Sequence, residues 1–223
     1  VIGGYPRFLI FIFNTKTMNT YIYGEYVTEY TEHFEYLTQP ILKLLSAEKN
    51  KQIIDLGCGG GYLVSLLVQK GYSAYGTDAS ESAIKLAKQK LPNNFWVQDL
   101  TKDDLPDAIA NIPFDTIVST EVIEHLYDPR GYIQFCKKIL MKNGGGEIII
   151  TTPYHGYLKN LVLALTNKMD NHFSALWDGG HIKFWSRATL TTLLEESGFT
   201  VTDFVGCGRF PYLWKSMLIK AKI

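Results

Sequence analysis

The sequence predicts an α/β protein built on a mainly parallel sheet, and three observations carry that expectation. From Lys51 onward the hydrophobic period switches repeatedly between short apolar runs and longer helical patterns, the mark of strands alternating with helices. The run Ile53-Ile54-Asp55-Leu56 enters a cluster of glycines and then a helical pattern, the local order of strand, tight turn and crossover helix. Asp128-Pro129 sets a capping residue before a proline at the first helical position, a strong helix start.

Lys51 to Leu56 reads as the first strand, and Tyr62 to Lys70 as a helix stopped by Gly71 with a lysine in its last turn. Ser73 to Thr77 is the second strand. Ser80 is placed to cap a helix that runs to Lys90 and ends at Leu91-Pro92. Asn94 to Gln98 and Phe114 to Ser119 are further strands. The helix from Asp128-Pro129 reaches about Met141, before the turn Gly144-Gly145-Gly146, and Glu147 to Thr152 is the fifth strand. The alternation then breaks. Tyr154 to Gly180 holds Tyr157, Leu161, Leu165, Phe173 and Trp177 with no strand pattern, so it reads as an insertion. Ser186 to Ser197 is a helix closed by Gly198. Phe199 to Gly206 and Lys215 to Ile223 finish as two strands, joined by the aromatic connection Arg209 to Trp214, short enough for an antiparallel pair. Asn19 to Ala47, rich in tyrosine and ending in the helical Ile41 to Leu45, precedes the sheet and is placed to cover its ligand edge.

A chain of 223 residues, 46% hydrophobic, holds one large domain or two small ones at roughly 150 residues per domain. At this length about 70% of the unfolded surface can be buried, so the core needs no staples. Cys58, Cys136 and Cys207 are widely spaced and form no CxxC pair, which argues against a disulfide scaffold or a zinc cluster and fits a reducing, cytoplasmic setting. The 22 basic and 22 acidic side chains cancel to +0, leaving no excess charge for a phosphate backbone, so nucleic acid is disfavoured and a small-molecule partner expected. Oligomeric state is not legible. Phe8 to Phe13 is apolar behind Arg7 but far short of the roughly 20 residues that span a bilayer, and it lacks a signal cleavage site. Met18 opens a polar stretch like an ordinary protein start; residues 1–17 read equally as upstream sequence or as an edge strand or lid.

The most informative segment is Ile53 to Gly61. Its glycines let the backbone turn sharply and approach a ligand where a Cβ would clash. A dinucleotide fingerprint starting at Gly57 would need a glycine where Tyr62 stands. Asp55 sharpens the point, because a carboxylate at the mouth of this loop repels a pyrophosphate and suits ammonium and sulfonium charges. S-adenosylmethionine is such a ligand. About 20 residues on, Asp78 ends the second strand, where a carboxylate can accept from both ribose hydroxyls; the plainer reading is a helix-entry cap. Asp99 ends the third strand, suited to accept from the adenine amine or simply to make a turn.

Through DLGCGGG at Asp55 to Gly61, GTDAS at Gly76 to Ser80, QDL at Gln98 to Leu100 and FDTIVSTEVIEHL at Phe114 to Leu126, the chain resembles the class I S-adenosylmethionine-dependent methyltransferases. EVIEH looks most like the ubiquinone-biosynthesis O-methyltransferase group and, more distantly, the small-RNA 2′-O-methyltransferases. The resemblance implies a Rossmann-like, seven-stranded, mostly parallel sheet with helices on both faces and an antiparallel last strand. It implies a methyltransferase domain over residues 48–223 behind a segment 1–47, with a substrate cap inserted at about 154–180. Asp55, Gly57, Cys58, Gly59, Asp78, Ala79, Asp99, Leu100 and Thr120 are then the expected cofactor-binding residues.

A hydroxyl acceptor must lose its proton to a base, or have its pKa lowered by a metal. Glu121, Glu124 and His125 follow the fourth strand at i, i+3 and i+4, a spacing that would gather them on one helical face. His125 is the leading base, with Glu121 beside it. Two carboxylates and an imidazole also suit a hard cation such as Mg2+ or Mn2+, with His181 or His155 as a fourth ligand; in the small-RNA group a comparable set holds a divalent ion. The plainer readings are capping and surface pairing for the acids and packed, backbone-satisfied histidines. The expected reaction is O-methylation of a quinol, phenol or glycan type of hydroxyl, the alternatives being terminal RNA 2′-O-methylation or cofactor binding without turnover. Leu158 to Lys168, apolar with lysines at its ends, reads equally as a cap helix or as a surface for peripheral membrane contact.

Overall fold

Seven strands form one sheet in the order β3-β2-β1-β4-β5-β7-β6, as seen in a computed structural model that describes residues 35–45, 51–101, 104–173, 175–177 and 179–223. The strands are β1 (Gln52–Leu56), β2 (Ser73–Asp78), β3 (Phe95–Val97), β4 (Thr116–Thr120), β5 (Glu147–Pro153), β6 (Thr200–Cys207) and β7 (Ser216–Lys222). β1 to β5 pair in parallel, whereas β7 runs antiparallel between β5 and β6. The expected sheet, with its reversed last strand, is the one found. The expectations for residues 1–17, and for the part of Asn19 to Ala47 before Glu35, lie outside the described residues.

Helices cover both faces because successive strand residues point to opposite sides. Ile54, Ile117, Ile148 and Ile150 pack against Ile133, Cys136 and Leu140 of α4 (Pro129–Met141) and against Leu190 and Leu194 of α7 (Arg187–Glu196). Their neighbours Ile53, Val118 and Ile149 face the other way, onto α1 (Glu35–Leu44), α2 (Tyr62–Gln69) and α3 (Glu81–Lys90), through Ile41, Val64, Leu67 and Ile84. Two helix starts follow from local chemistry. Ser80 Oγ accepts from Ala83 N at the head of α3, and Asp128 Oδ1 accepts from Gly131 N at the head of α4.

The sheet differs from the sequence reading at its margins. Asn94 to Gln98 shortens to the three residues of β3, which pairs only with β2 at the sheet edge. The segment after β5, read as an insertion without strands, agrees with that reading among the described residues and contains α5 (Tyr157–Leu165) and the short α6 (Met169–Phe173). None of the helices among the described residues is long and apolar enough to cross a membrane.

Candidate active site

The carboxyl ends of β1 and β4 meet where the strand order reverses, the crevice at which open α/β sheets bind ligands. Here the chain leaves β1 through Gly57, whose φ of +84° a residue with a side chain rarely adopts. A Cβ on Gly57 would also lie 2.3 Å from Val122 Cγ2, so the glycine loop and the segment after β4 touch. Gly57 N and Cys58 N donate to Thr77 O at 2.8 and 2.9 Å. Asp78 accepts from Gly59 N at 2.8 Å and from Ser80 N at 2.9 Å, with Ala79 between its two attachments. Asp78 thus ties the loop to β2 and enters the α3 cap, while each oxygen keeps a lone pair for a further donor.

Asp55 is buried and its Oδ1 has no hydrogen-bond partner. Burial, reinforced by Asp78, pushes its carboxyl up to about 8. A buried carboxylate in that condition is short of a positive charge. Cys58 is a buried residue of the loop, its thiol pushed up by burial and by Asp55. Asp99 Oδ1 accepts from Thr101 N at 2.9 Å and Thr101 Oγ1 at 2.6 Å, so that oxygen holds the turn after β3. Leu100 is half-buried against the core, and the Thr120 hydroxyl at the end of β4 is buried without a partner.

The next five residues correct one expectation. Glu121, Glu124 and His125 do not share a helical face: Glu121 has φ +53° and only Ile123–His125 makes a turn of 3-10 helix. A positive φ on glutamate is strained. It is held by Glu121 N donating to Thr151 O and Thr151 Oγ1. The Glu121 carboxylate accepts from Thr151 Oγ1 at 2.8 Å and from Ser216 Oγ at 3.3 Å. Burial raises it to about 7.

Glu124 is fully buried, with Oε2 accepting from Thr152 Oγ1 at 3.0 Å and Oε1 unpartnered. Burial and then the charge of Glu121 push its carboxyl well up. Its carbonyl accepts from Ile182 N and Lys183 N at 2.9 and 3.0 Å. Those bonds bring His181 to the site, its ring 5.0 Å from that of His125. Ligand atoms of Glu124, His125 and His181 all lie within 4.8 Å of one another; Glu121 is not part of that cluster, and neither is His155. His125 Nδ1 donates to Gly179 O and Gly180 O at 3.0 and 3.2 Å. Those carbonyls fix the tautomer and leave Nε2 with the lone pair. Burial lowers the pKa of His125 and, with the help of His125, drops that of His181 to about 4, so both rings are neutral at neutral pH. The unpartnered Glu124 oxygen beside two neutral imidazoles fits a divalent cation, and equally a hydroxyl that must give up a proton.

Sequence reasoning missed the residues that support this cluster from other strands. Thr151 and Thr152 lie just before the end of β5, and that position, near the carboxyl end of a parallel strand, was the signal available for them. Tyr36 and Ser216 gave none. Tyr36 OH lies 2.9 Å from Ser216 Oγ, so α1 reaches Glu121 through β7.

Residues 29–203 match the family described as "Methyltransferase domain". The chain is 32% identical, over 73% of its own length and 69% of the other, to a ubiquinone biosynthesis O-methyltransferase of Coxiella burnetii. It is 30% identical, over 77% and 72%, to the ubiquinone biosynthesis O-methyltransferase of Dinoroseobacter shibae. Among solved structures it is similar to magnesium protoporphyrin IX methyltransferase of Synechocystis PCC 6803 with bound S-adenosylhomocysteine, at TM-score 0.61 and 20% identity, over 83% and 81% of the two chains.

Proposed function

Because the chain belongs to the methyltransferase-domain family and is an S-adenosylmethionine-dependent methyltransferase, we propose that it methylates a hydroxyl of a small phenol, quinol or glycan type of molecule. The observation that supports this reading is the cluster of Glu124, His125 and His181, the first two of which lie just after β4, next to Val122, which packs on the glycine loop. The ubiquinone biosynthesis relatives, at about 30% identity, point to the same bond.

S-adenosylmethionine brings a methyl already activated by its sulfonium, so the protein has to align the acceptor, exclude water and take a proton. Asp55 meets the cofactor's positive charge, Asp78 its ribose and Asp99 its adenine, over the backbone of Gly57, Cys58 and Gly59, with Ala79, Leu100 and Thr120 around them. As the acceptor oxygen bonds to the methyl carbon, the carbon–sulfur bond breaks and its electron pair leaves on sulfur. The hydroxyl proton passes to His125 Nε2, because Nδ1–H is committed to the Gly179 and Gly180 carbonyls. Glu124, His125 and His181 are also the residues that would hold Mg2+ or Mn2+, which would lower the hydroxyl pKa. Glu121, with both oxygens occupied by hydroxyls, acts on the acceptor through Glu124.

Glu124→Gln keeps the shape and the Thr152 contact and removes the ionisable oxygen. Cofactor binding should survive in calorimetry while turnover on a catechol falls about 10²–10⁴-fold, the range for a lost acid–base group. Retained turnover would remove the cluster from catalysis. Loss on chelation, restored by Mg2+ or Mn2+, separates the cation from the bare base. The exposed Tyr157, Leu158, Leu161, Val162 and Leu165 of α5 support a further part of the proposal, that this helix rests on a membrane surface where a lipid-soluble acceptor is met.

A further inference from the structure

Glu121 is the strained residue of the site, and its attachments reach outside the sheet. A positive φ on a residue with a side chain persists only where the surroundings over-determine it. At Glu121, with φ +53°, three elements do so. Thr151 of β5 grips both the amide and Oε1. Ser216, the first residue of β7, donates to Oε2 at 3.3 Å. A serine hydroxyl has one hydrogen. With that hydrogen given to the carboxylate, the Ser216 oxygen is left to accept, and Tyr36 OH on α1 is the donor, 2.9 Å away. Burial, and then the charge of Glu121, pushes the Tyr36 phenol up, so it keeps the proton it donates.

The Tyr36 ring is seated independently of its hydroxyl. Gly208, at φ +85°, leaves the space the ring fills, since a Cβ there would stand 2.9 Å from Tyr36 Cδ2. Lys215 Nζ lies over the ring, 4.5 Å from its centroid, a cation–π contact. α1 itself is pinned along its length. Leu37 and Ile41 share one buried cluster with Cys207 and Leu218, and Tyr36 packs against it. At the far end of the helix Lys220 Nζ donates to Leu44 O at 2.7 Å. None of these contacts uses the phenol hydroxyl.

We infer that Tyr36 is a positioning residue for methyl transfer: through Ser216 its hydroxyl holds Glu121, and with it the turn that carries Glu124 and His125. This rests on the reading of the site as hydroxyl methylation and adds a residue to it. The turn Ile123–His125 follows closely on Glu121, and Val122 between them packs on the glycine loop. A Glu121 released from its strained conformation therefore shifts the acceptor cluster against the cofactor. A misplacement of about 1 Å can cost on the order of 10²-fold in rate. The bonds of the glycine loop to Thr77 and Asp78 do not involve Tyr36, so cofactor affinity should not depend on it.

Tyr36→Phe keeps the seated ring and removes only the hydroxyl. In the full chain saturated with S-adenosylhomocysteine, amide exchange over Glu121 to His125 should quicken about 3–10-fold, the effect of one hydrogen bond, with the melting temperature nearly unchanged. On a catechol, kcat per bound cofactor should fall about tenfold at constant KM for S-adenosylmethionine, a split that a merely structural loss would not give. Ser216→Ala should fall as far and the double variant no further, because the two hydroxyls act in series. If Ser216→Ala does not fold, Tyr36→Phe decides alone. Unchanged exchange in Tyr36→Phe, or losses that add in the double variant, overturn the inference. Faster exchange in a protein that methylates no hydroxyl upholds Tyr36 as a positioning residue and sinks hydroxyl methylation. Hydroxyl turnover as fast in Tyr36→Phe as in the unmodified protein does the reverse.

Discussion

Asp55 shows how far one residue can be read alone. Its place before the glycines argued for a positively charged ligand, and its buried, unpartnered oxygen supports that argument. A pH dependence follows. The unfolded chain releases this proton near the ordinary value of 3.8, and the folded chain keeps it until about 8. Folding without ligand therefore holds a proton that unfolding releases, and stability contributed by this group is present below the lower value and lost as pH rises through about 8. A bound cation favours the ionised form. S-adenosylmethionine should bind more tightly as pH rises toward about 8, with proton release visible as buffer-dependent heat. Asp55→Asn should lose that dependence and weaken binding roughly 10–100-fold, the range for a hydrogen bond to a charged group. An unchanged pH profile in the variant would show that Asp55 does not face the cofactor. For Glu121 and Glu124 the sequence showed the residue types but not the backbone. No spacing rule anticipates a glutamate at positive φ, because Thr151, thirty positions away, holds it there.

At the scale of elements, local chemistry was legible where it acts within a few residues. Ser80 and Asp128 cap the helices they were expected to cap, and β5 and β7 fall within a residue of their expected limits at every end. It failed where an element depends on partners: β3 is short because it has a neighbour on one side only. The turn into α2 offers a test. Gly61 has φ +75°, and a Cβ there would stand 2.4 Å from the Phe95 ring of β3 and 2.8 Å from Ala87 of α3. Gly61→Ala combines backbone strain with overpacking, and urea unfolding should show a loss of about 2–4 kcal/mol. Gly71 has a positive φ too but open space around it. Gly71→Ala should cost about 1 kcal/mol from the backbone alone. Equal losses at the two sites would mean that contact with Phe95 contributes nothing.

For the whole molecule, the sheet holds the glycine loop while the segment between β5 and α7 supplies His181, and the two meet where Ile182 and Lys183 donate to the Glu124 carbonyl. The outer face of that segment is apolar, with Leu165 77% exposed. Replacing Leu161 and Leu165 together by glutamate should leave the melting temperature nearly unchanged, as surface substitutions do. It should reduce co-sedimentation with phosphatidylglycerol-containing vesicles at least about tenfold, since each leucine contributes roughly 1.5–3 kcal/mol on burial. Undiminished sedimentation would assign α5 to packing over the acceptor alone. The sequence by itself determined the alternation of strand and helix, the glycine loop with its acids, and the run of two glutamates and a histidine after β4, because each is written in neighbouring positions of the chain. Only the tertiary structure decided that His181 joins Glu124 and His125 while Glu121 stands outside their cluster, bound to Thr151 and Ser216. Those arrangements depend on burial and on hydrogen bonds between residues remote in sequence, which no local pattern encodes.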